Sequence, residues 1–152
     1  MLWNKICLMS LMIFACTFTL FAGDDLKHYM LKDDNNNALK GLDVVSFFEG
    51  TPAQGSQDFQ TEYAEVNWSF ANQANLDKFI QSPSEYLPKY HGYCAWAIMN
   101  DRLREGMIDY WHVYDDDLYF LCSEEAMKNF QDDPEGISEK ADEKWQEMLH
   151  RS

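Results

Sequence analysis

His91 and Cys94 stand three residues apart, and His112 and Cys122 are the next histidine and cysteine along the chain. Imidazole and thiolate together suit zinc or copper. If the segment is helical, that spacing puts both groups on one face. Two ligands do not complete a zinc site, which takes four, or three and a water. Cys122, His112 and the acidic turn Asp115 to Asp117 are the candidates to complete it. The competing reading makes His91 a surface turn residue and Cys94 a small buried hydrophobe.

The same stretch, Lys89-Tyr90-His91-Gly92-Tyr93-Cys94-Ala95-Trp96-Ala97, also carries three aromatic rings. Gly92 has no Cβ, so backbone there can be held close to a neighbour. Tyr90, Tyr93 and Trp96, with Trp111 further on, are candidates to line a pocket for a small organic ligand. A third chemistry would use Cys94 as a nucleophile with His91 or His112 as base. No nucleophile motif surrounds Cys94, and the chain has no phosphate loop, no Cys-x-x-Cys pair and no haem-attachment motif. A binding module is therefore favoured over an enzyme.

These residues need a scaffold. A chain of 152 residues is expected to form one modest domain. It has 12 Lys+Arg against 26 Asp+Glu, a net charge of −14, which argues against nucleic acid and anionic membranes. Aromatics at 15% suit a ring-packed core and not disorder.

Residues 1–22 read as a secretory signal peptide. Lys5 is the positive n-region, Ile6 to Ala15 the apolar run, and Leu20-Phe21-Ala22 the cleavage site. The apolar run is short for a stable membrane span. Lipid attachment at Cys16 fits less well, because bulky Phe14 stands where a small residue is wanted. Cleavage removes one lysine and no acid, taking the net charge from −14 to −15. It also removes Cys7 and Cys16. Cys94 and Cys122 remain as a disulfide, as two separate buried thiols, or as metal ligands. The expected location is periplasmic or secreted.

Residues 23–37 form a polar segment ending in Asp33-Asp34-Asn35-Asn36-Asn37, a loop, with Tyr29-Met30-Leu31 as a short edge strand. Residues 38–150 are the predicted domain. Asp43 is placed to cap a short helix that ends near Gly50, with Val45 and Phe48 facing the core. Phe59-x-Thr61-x-Tyr63 and Val66-x-Trp68-x-Phe70 alternate as a strand hairpin. Asn72 caps a helix whose apolar face is Leu76, Phe79 and Ile80, and Pro83 interrupts it.

The design returns. Trp111 and Val113 lie in one strand, Leu118 to Leu121 in the next, and Ser123 caps a helix with Ala126, Met127 and Phe130 inward. A shift of about 51 residues lays Asn72 on Ser123, Leu76 on Met127, Phe79 on Phe130 and Pro83 on Pro134. Two such units are expected to pack face to face, with Lys89 to Asn100 at their junction. Ile137, Ala141, Trp145, Met148 and Leu149 fit one face of a final helix. The predicted fold is α+β: one small domain of two hairpin-plus-helix units with a short helical junction between them.

Several of these motifs are similar to those of exported YHS-domain proteins. Lys40-Gly41-Leu42-Asp43-Val44-Val45-Ser46-Phe47-Phe48 resembles that family's Gly-Tyr-Asp-Pro-Val-Ser-Tyr-Phe opening. Trp68-Ser69-Phe70-Ala71-Asn72 resembles its strand-to-helix junction, and Pro83 to Ala97 its most recognisable segment. Val44 replaces the usual proline, and His91 stands where the family has the first glycine of a pair. Leu121-Cys122-Ser123 is closer to the short, metal-associated YHS and TRASH domains. The resemblance implies a YHS-like fold and a tendency toward metals, and it carries no reaction. Together these readings lead to an exported module that binds or senses a transition metal, copper or zinc, in the cell envelope. The metal candidates are Cys94, His91, Cys122 and His112. The alternative is a small organic ligand in the aromatic pocket.

Overall fold

The computed structural model describes residues 31–151. The predicted signal peptide, Cys7, Cys16, His28 and most of the proposed edge strand lie outside them. The architecture follows from local instructions that are issued twice. The first is a left-handed run: Leu39, Lys40 and Gly41 have φ of 48°, 56° and 81°, and Tyr90, His91 and Gly92 have 53°, 53° and 86°. Two consecutive non-glycine residues in that region are uncommon, and each needs surrounding contacts to hold it there.

Each run leads into a short extended step and a five-residue helix. In the first half these are β1 (Leu42–Asp43) and α1 (Val44–Phe48). The Asp43 side chain accepts from Val45 N and Ser46 N, the predicted cap. β2 (Ala53–Gln54) pairs antiparallel with β1. β3 (Ser56–Tyr63) and β4 (Val66–Phe70) form the first hairpin. Its turn residues, Ala64 and Glu65, both have positive φ, the turn geometry that matches strand twist. α2 (Gln73–Gln81) follows, capped by Asn72 Oδ1 accepting from Asn75 N at 2.9 Å. α3 (Pro83–Tyr86) is a single turn opened by Pro83.

The second half repeats this. α4 (Ala95–Met99) follows the Tyr90–Gly92 run. β5 (Met107–Tyr114) and β6 (Asp117–Leu121) form the second hairpin around Asp115 and Asp116, again both at positive φ. α5 (Glu124–Asp132) is capped by Ser123 Oγ accepting from Ala126 N at 3.1 Å. Even the hairpin irregularity recurs, between Ser56 and Gln60 in one and between Met107 and Trp111 in the other. The α+β fold and its two hairpin-plus-helix units are as expected. The helical stretch does lie between those units, and the structure adds that it opens the second one, matching Leu39 to Phe48. The repeat therefore spans nearly each whole half. The halves part at their ends, where α3 has four residues and α6 (Pro134–Arg151) has 18.

α6 buries Ile137, Ala141 and Trp145 and lies along α4. Tyr90 Oη donates to Asp142 Oδ1 at 2.9 Å and to the Ser138 carbonyl at 3.2 Å, tying the second left-handed run to this helix. The polar loop is also tied in. Asp33 Oδ1 accepts from the backbone of Asn35 and Asn37, and Ala38 N donates to the Asn67 carbonyl in β4.

Two expectations change. Phe79 and Phe130 are both fully buried, but they do not meet face to face. Phe79 packs on Tyr63, Trp68 and Phe70 of its own hairpin, and Phe130 on Tyr119 and His112 of its own. The units join instead through Phe47, whose ring stands edge-on to Trp111 at 5.3 Å and Phe120 at 5.4 Å. Ile80 is 56% exposed, outside the face it was assigned to. One residue beyond Phe79 is about 100° further round the helix, past the edge of the hairpin.

Candidate functional site

Cys94 occupies the N-cap position of α4 and is wholly buried. Cys122 follows β6 and is half-buried. Both are free thiols, close enough to share a hydrogen bond. β6 brings them together: Cys94 bridges in parallel to Phe120, two residues before Cys122. On the other side Cys94 N donates to the Arg104 carbonyl at 2.8 Å.

The surroundings of Cys94 are clearest beside their counterpart. A shift of 51 residues lays Asp43 on Cys94, Ala71 on Cys122 and Asn75 on Ala126. Asp43 is also wholly buried. Its Oδ1 accepts from Val45 N at 2.9 Å, and its Oδ2 from Ala71 N at 2.9 Å and Asn75 Nδ2 at 2.7 Å. Those donors form a cradle for an anion, which is how a buried carboxylate is tolerated. In the second half the cradle persists without its amide donor, since Ala126 replaces Asn75. Cys94 completes no capping hydrogen bond, yet the N–H groups of Ala97 and Cys122 lie near enough to favour negative charge on its sulfur. Burial and the Cys122 thiol outweigh them and push the Cys94 thiol up to about 12. Cys94 rests as a neutral thiol beside two N–H donors that favour a thiolate.

The other predicted ligands are elsewhere. The His91 ring stands edge-on to Trp145 at 5.4 Å. His112 faces Phe130 at 5.8 Å. Asp115, Asp116 and Asp117 line a different cavity with Phe48 and Tyr86. Among the described residues no three of His, Cys, Asp and Glu are grouped to hold a metal ion. So Cys94 and Cys122 are brought together, and His91, His112 and the acidic turn do not complete a four-ligand zinc site with them.

Of the four rings, Tyr90 and Tyr93 share Trp145 as a partner, and Trp111 and Trp96 have other surroundings. Tyr90 is buried against Tyr119 and Trp145. Tyr93 leans on Trp145, and Trp111 packs on Phe47. Trp96 lines a cavity of about 320 Å³ with Asn100, Arg102, Arg104, Cys122, Ser123 and Glu125. Tyr90 borders another, of about 250 Å³, on the α6 side. The close approach expected of Gly92 is to protein: a Cβ there would lie 2.9 Å from Leu31 Cβ. Nothing in the spacing of Arg102 and Arg104 marks them as pocket residues. The Asp43 cap was legible, and the repeat carries it onto Cys94.

Comparison with protein-family models, with curated proteins and with solved structures finds no match for this chain. Among the described residues no helix is long and apolar enough to cross a membrane.

Proposed function

We propose that this protein is an exported binding module for a soft transition-metal ion, copper(I), held by Cys94 and Cys122. The observation that supports this is the thiol pair itself, set in a cradle whose counterpart surrounds the Asp43 carboxyl group with N–H donors. Thiolates are soft ligands that favour copper(I), which accepts two-coordinate binding. Zinc fits poorly, because it asks for three or four protein ligands. Binding one copper(I) releases both thiol protons and leaves one net negative charge on the complex. The N–H groups of Ala97 and Cys122 favour that charge. The likeness of the Leu121-Cys122-Ser123 junction to metal-associated YHS domains points the same way. His91 and His112 take no part.

Anaerobic titration of reduced protein with copper(I) against a competing chelator tests this. One tightly held ion per chain is expected. Cys94→Ser and Cys122→Ser should each abolish stoichiometric binding, while His91→Ala and His112→Ala leave it intact. Wild-type protein that cannot compete for copper(I), or binding that survives both cysteine changes, would overturn the reading.

A further inference from the structure

The cavity beside Cys122 has a charge that the rest of the chain does not. Its walls carry Arg102 and Arg104 against one acid, Glu125, in a protein of net charge −14. Both arginines are exposed, on the loop between α4 and β5. Among the described residues neither takes part in an ion pair; the same loop's Asp101 is bound to Arg151 instead. Asn100 adds an amide, and Trp96 an apolar wall. The volume, about 320 Å³, suits a small organic molecule. Cys122 opens on this cavity, and Cys94 lies behind it within hydrogen-bond reach. Two arginines and a half-buried thiol thus line one cavity, with a second thiol beside the first.

We propose that this cavity admits a small disulfide bearing carboxylates, and that Cys122 and then Cys94 exchange with it. Arg102 and Arg104 hold the carboxylates, a match of planar cation to planar anion. Cys122, as thiolate, attacks one sulfur of the bound disulfide. A bond forms between Cys122 Sγ and that sulfur, and the small molecule's own S–S bond breaks. The departing thiolate takes up a proton, balancing the one lost from Cys122. Cys94 then gives up its proton and attacks Cys122 Sγ. The second small thiol leaves with a proton, and a Cys94–Cys122 disulfide remains. The protein dithiol is oxidised by two electrons, and the small disulfide is reduced to two thiols.

The test uses metal-free full-length protein, so its outcome is independent of the copper reading. 3,3′-Dithiodipropionate, an anionic disulfide, is compared with cystamine, a cationic one of like length. The rate of adduct formation at Cys122 is read by peptide mass mapping in Cys94→Ser, which stops at the first exchange. Each rate is divided by that of 2-mercaptoethanol with the same reagent, removing intrinsic reactivity. The anionic reagent should be favoured by about tenfold or more. Arg102→Gln/Arg104→Gln should reverse the preference, since the remaining field is that of an acidic protein. With Cys94 restored, wild-type protein should go on to form the Cys94–Cys122 disulfide. Preference for cystamine in the arginine-bearing protein, or an anionic preference that outlives both arginines, would overturn the proposal.

Discussion

Asp43 and Cys94 hold the same place in the two halves of the molecule. Each is wholly buried, each follows a left-handed run closed by glycine, and each begins a five-residue helix. Their neighbours match as well. Ala71, whose N–H reaches the Asp43 carboxylate, corresponds to Cys122, whose thiol and N–H meet Cys94. One half spends this position on structure. The other places a pair of thiols there.

The structural half should be the less tolerant. Asp43→Ala would strip the acceptor from Val45 N, Ser46 N, Ala71 N and Asn75 Nδ2 at once. Each buried donor left unpaired costs about 1–3 kcal/mol, so with four of them a total loss of about 4 kcal/mol or more is expected in urea unfolding. Cys94→Ala should cost about 1–2 kcal/mol, the range for a small buried group with no obligatory partners. Equal losses at the two positions would contradict the different roles assigned to them.

Gly55 and Gly106 are the corresponding glycines ahead of the two hairpins, and neither has room for a side chain. A Cβ on Gly55 would lie 2.4 Å from Ser69 Cβ, and one on Gly106 2.4 Å from Phe120 Cβ and 2.5 Å from the Gly92 carbonyl oxygen. Gly55→Ala and Gly106→Ala should each lower stability by about 1–3 kcal/mol, the usual cost of overpacking. Gly106→Ala should also speed alkylation of Cys94, because strand β6 must shift to admit the methyl. A melting temperature unchanged in both would show that the strands yield freely.

Phe79 and Phe130 anchor separate clusters and, among the described residues, share no ring partner. Phe79→Leu and Phe130→Leu should each cost about 1–2 kcal/mol, and the double variant should cost their sum within about 0.5 kcal/mol. Coupling above about 1 kcal/mol would mean that the helices meet after all.

What could be read in the chain was what side chains do locally. Asn72 and Ser123 announce helices by the same capping chemistry, and alternation at Phe59 to Phe70 announces a hairpin. The repeat surfaced there because caps, rings and prolines kept their types. It stayed hidden between Leu39 to Phe48 and Tyr90 to Met99, where the backbone is repeated and the side chains are not. Asp43 became Cys94, Ser46 became Ala97 and Phe47 became Ile98, while only Gly41 and Gly92 kept their type. The approach of Cys94 to Cys122 was equally hidden, because it depends on a strand reaching across to a helix start. The shared face expected of His91-x-x-Cys94 was conditional on a helix, and the backbone there is not helical. The left-handed backbone at His91, φ 53°, breaks the helical relation on which a shared face depends.

The last prediction follows from the protonation of Cys94. Its thiol is pushed from 9.0 to about 12, first by burial and then by the hydrogen bond with Cys122. The folded state therefore holds a proton that the unfolded chain gives up near pH 9. The stabilisation is fully present below the unfolded value and is lost as pH rises toward the folded one. Over the window from about pH 9 to about pH 11 this thiol should account for about 2 kcal/mol of lost stability. Tyr90 and Tyr119 are also pushed up by burial, with help from nearby carboxylates, so they add losses of the same sign at higher pH. The comparison that isolates Cys94 is wild type against Cys94→Ala, measured by urea unfolding under reductant across that window. The variant should start less stable and fall less steeply, so the two curves converge as pH rises. Parallel curves would mean that Cys94 ionises as readily in the fold as in the open chain. In that case the thiol is not shielded as its burial implies, and it would be the first of the pair, not the second, to meet a reagent from solvent.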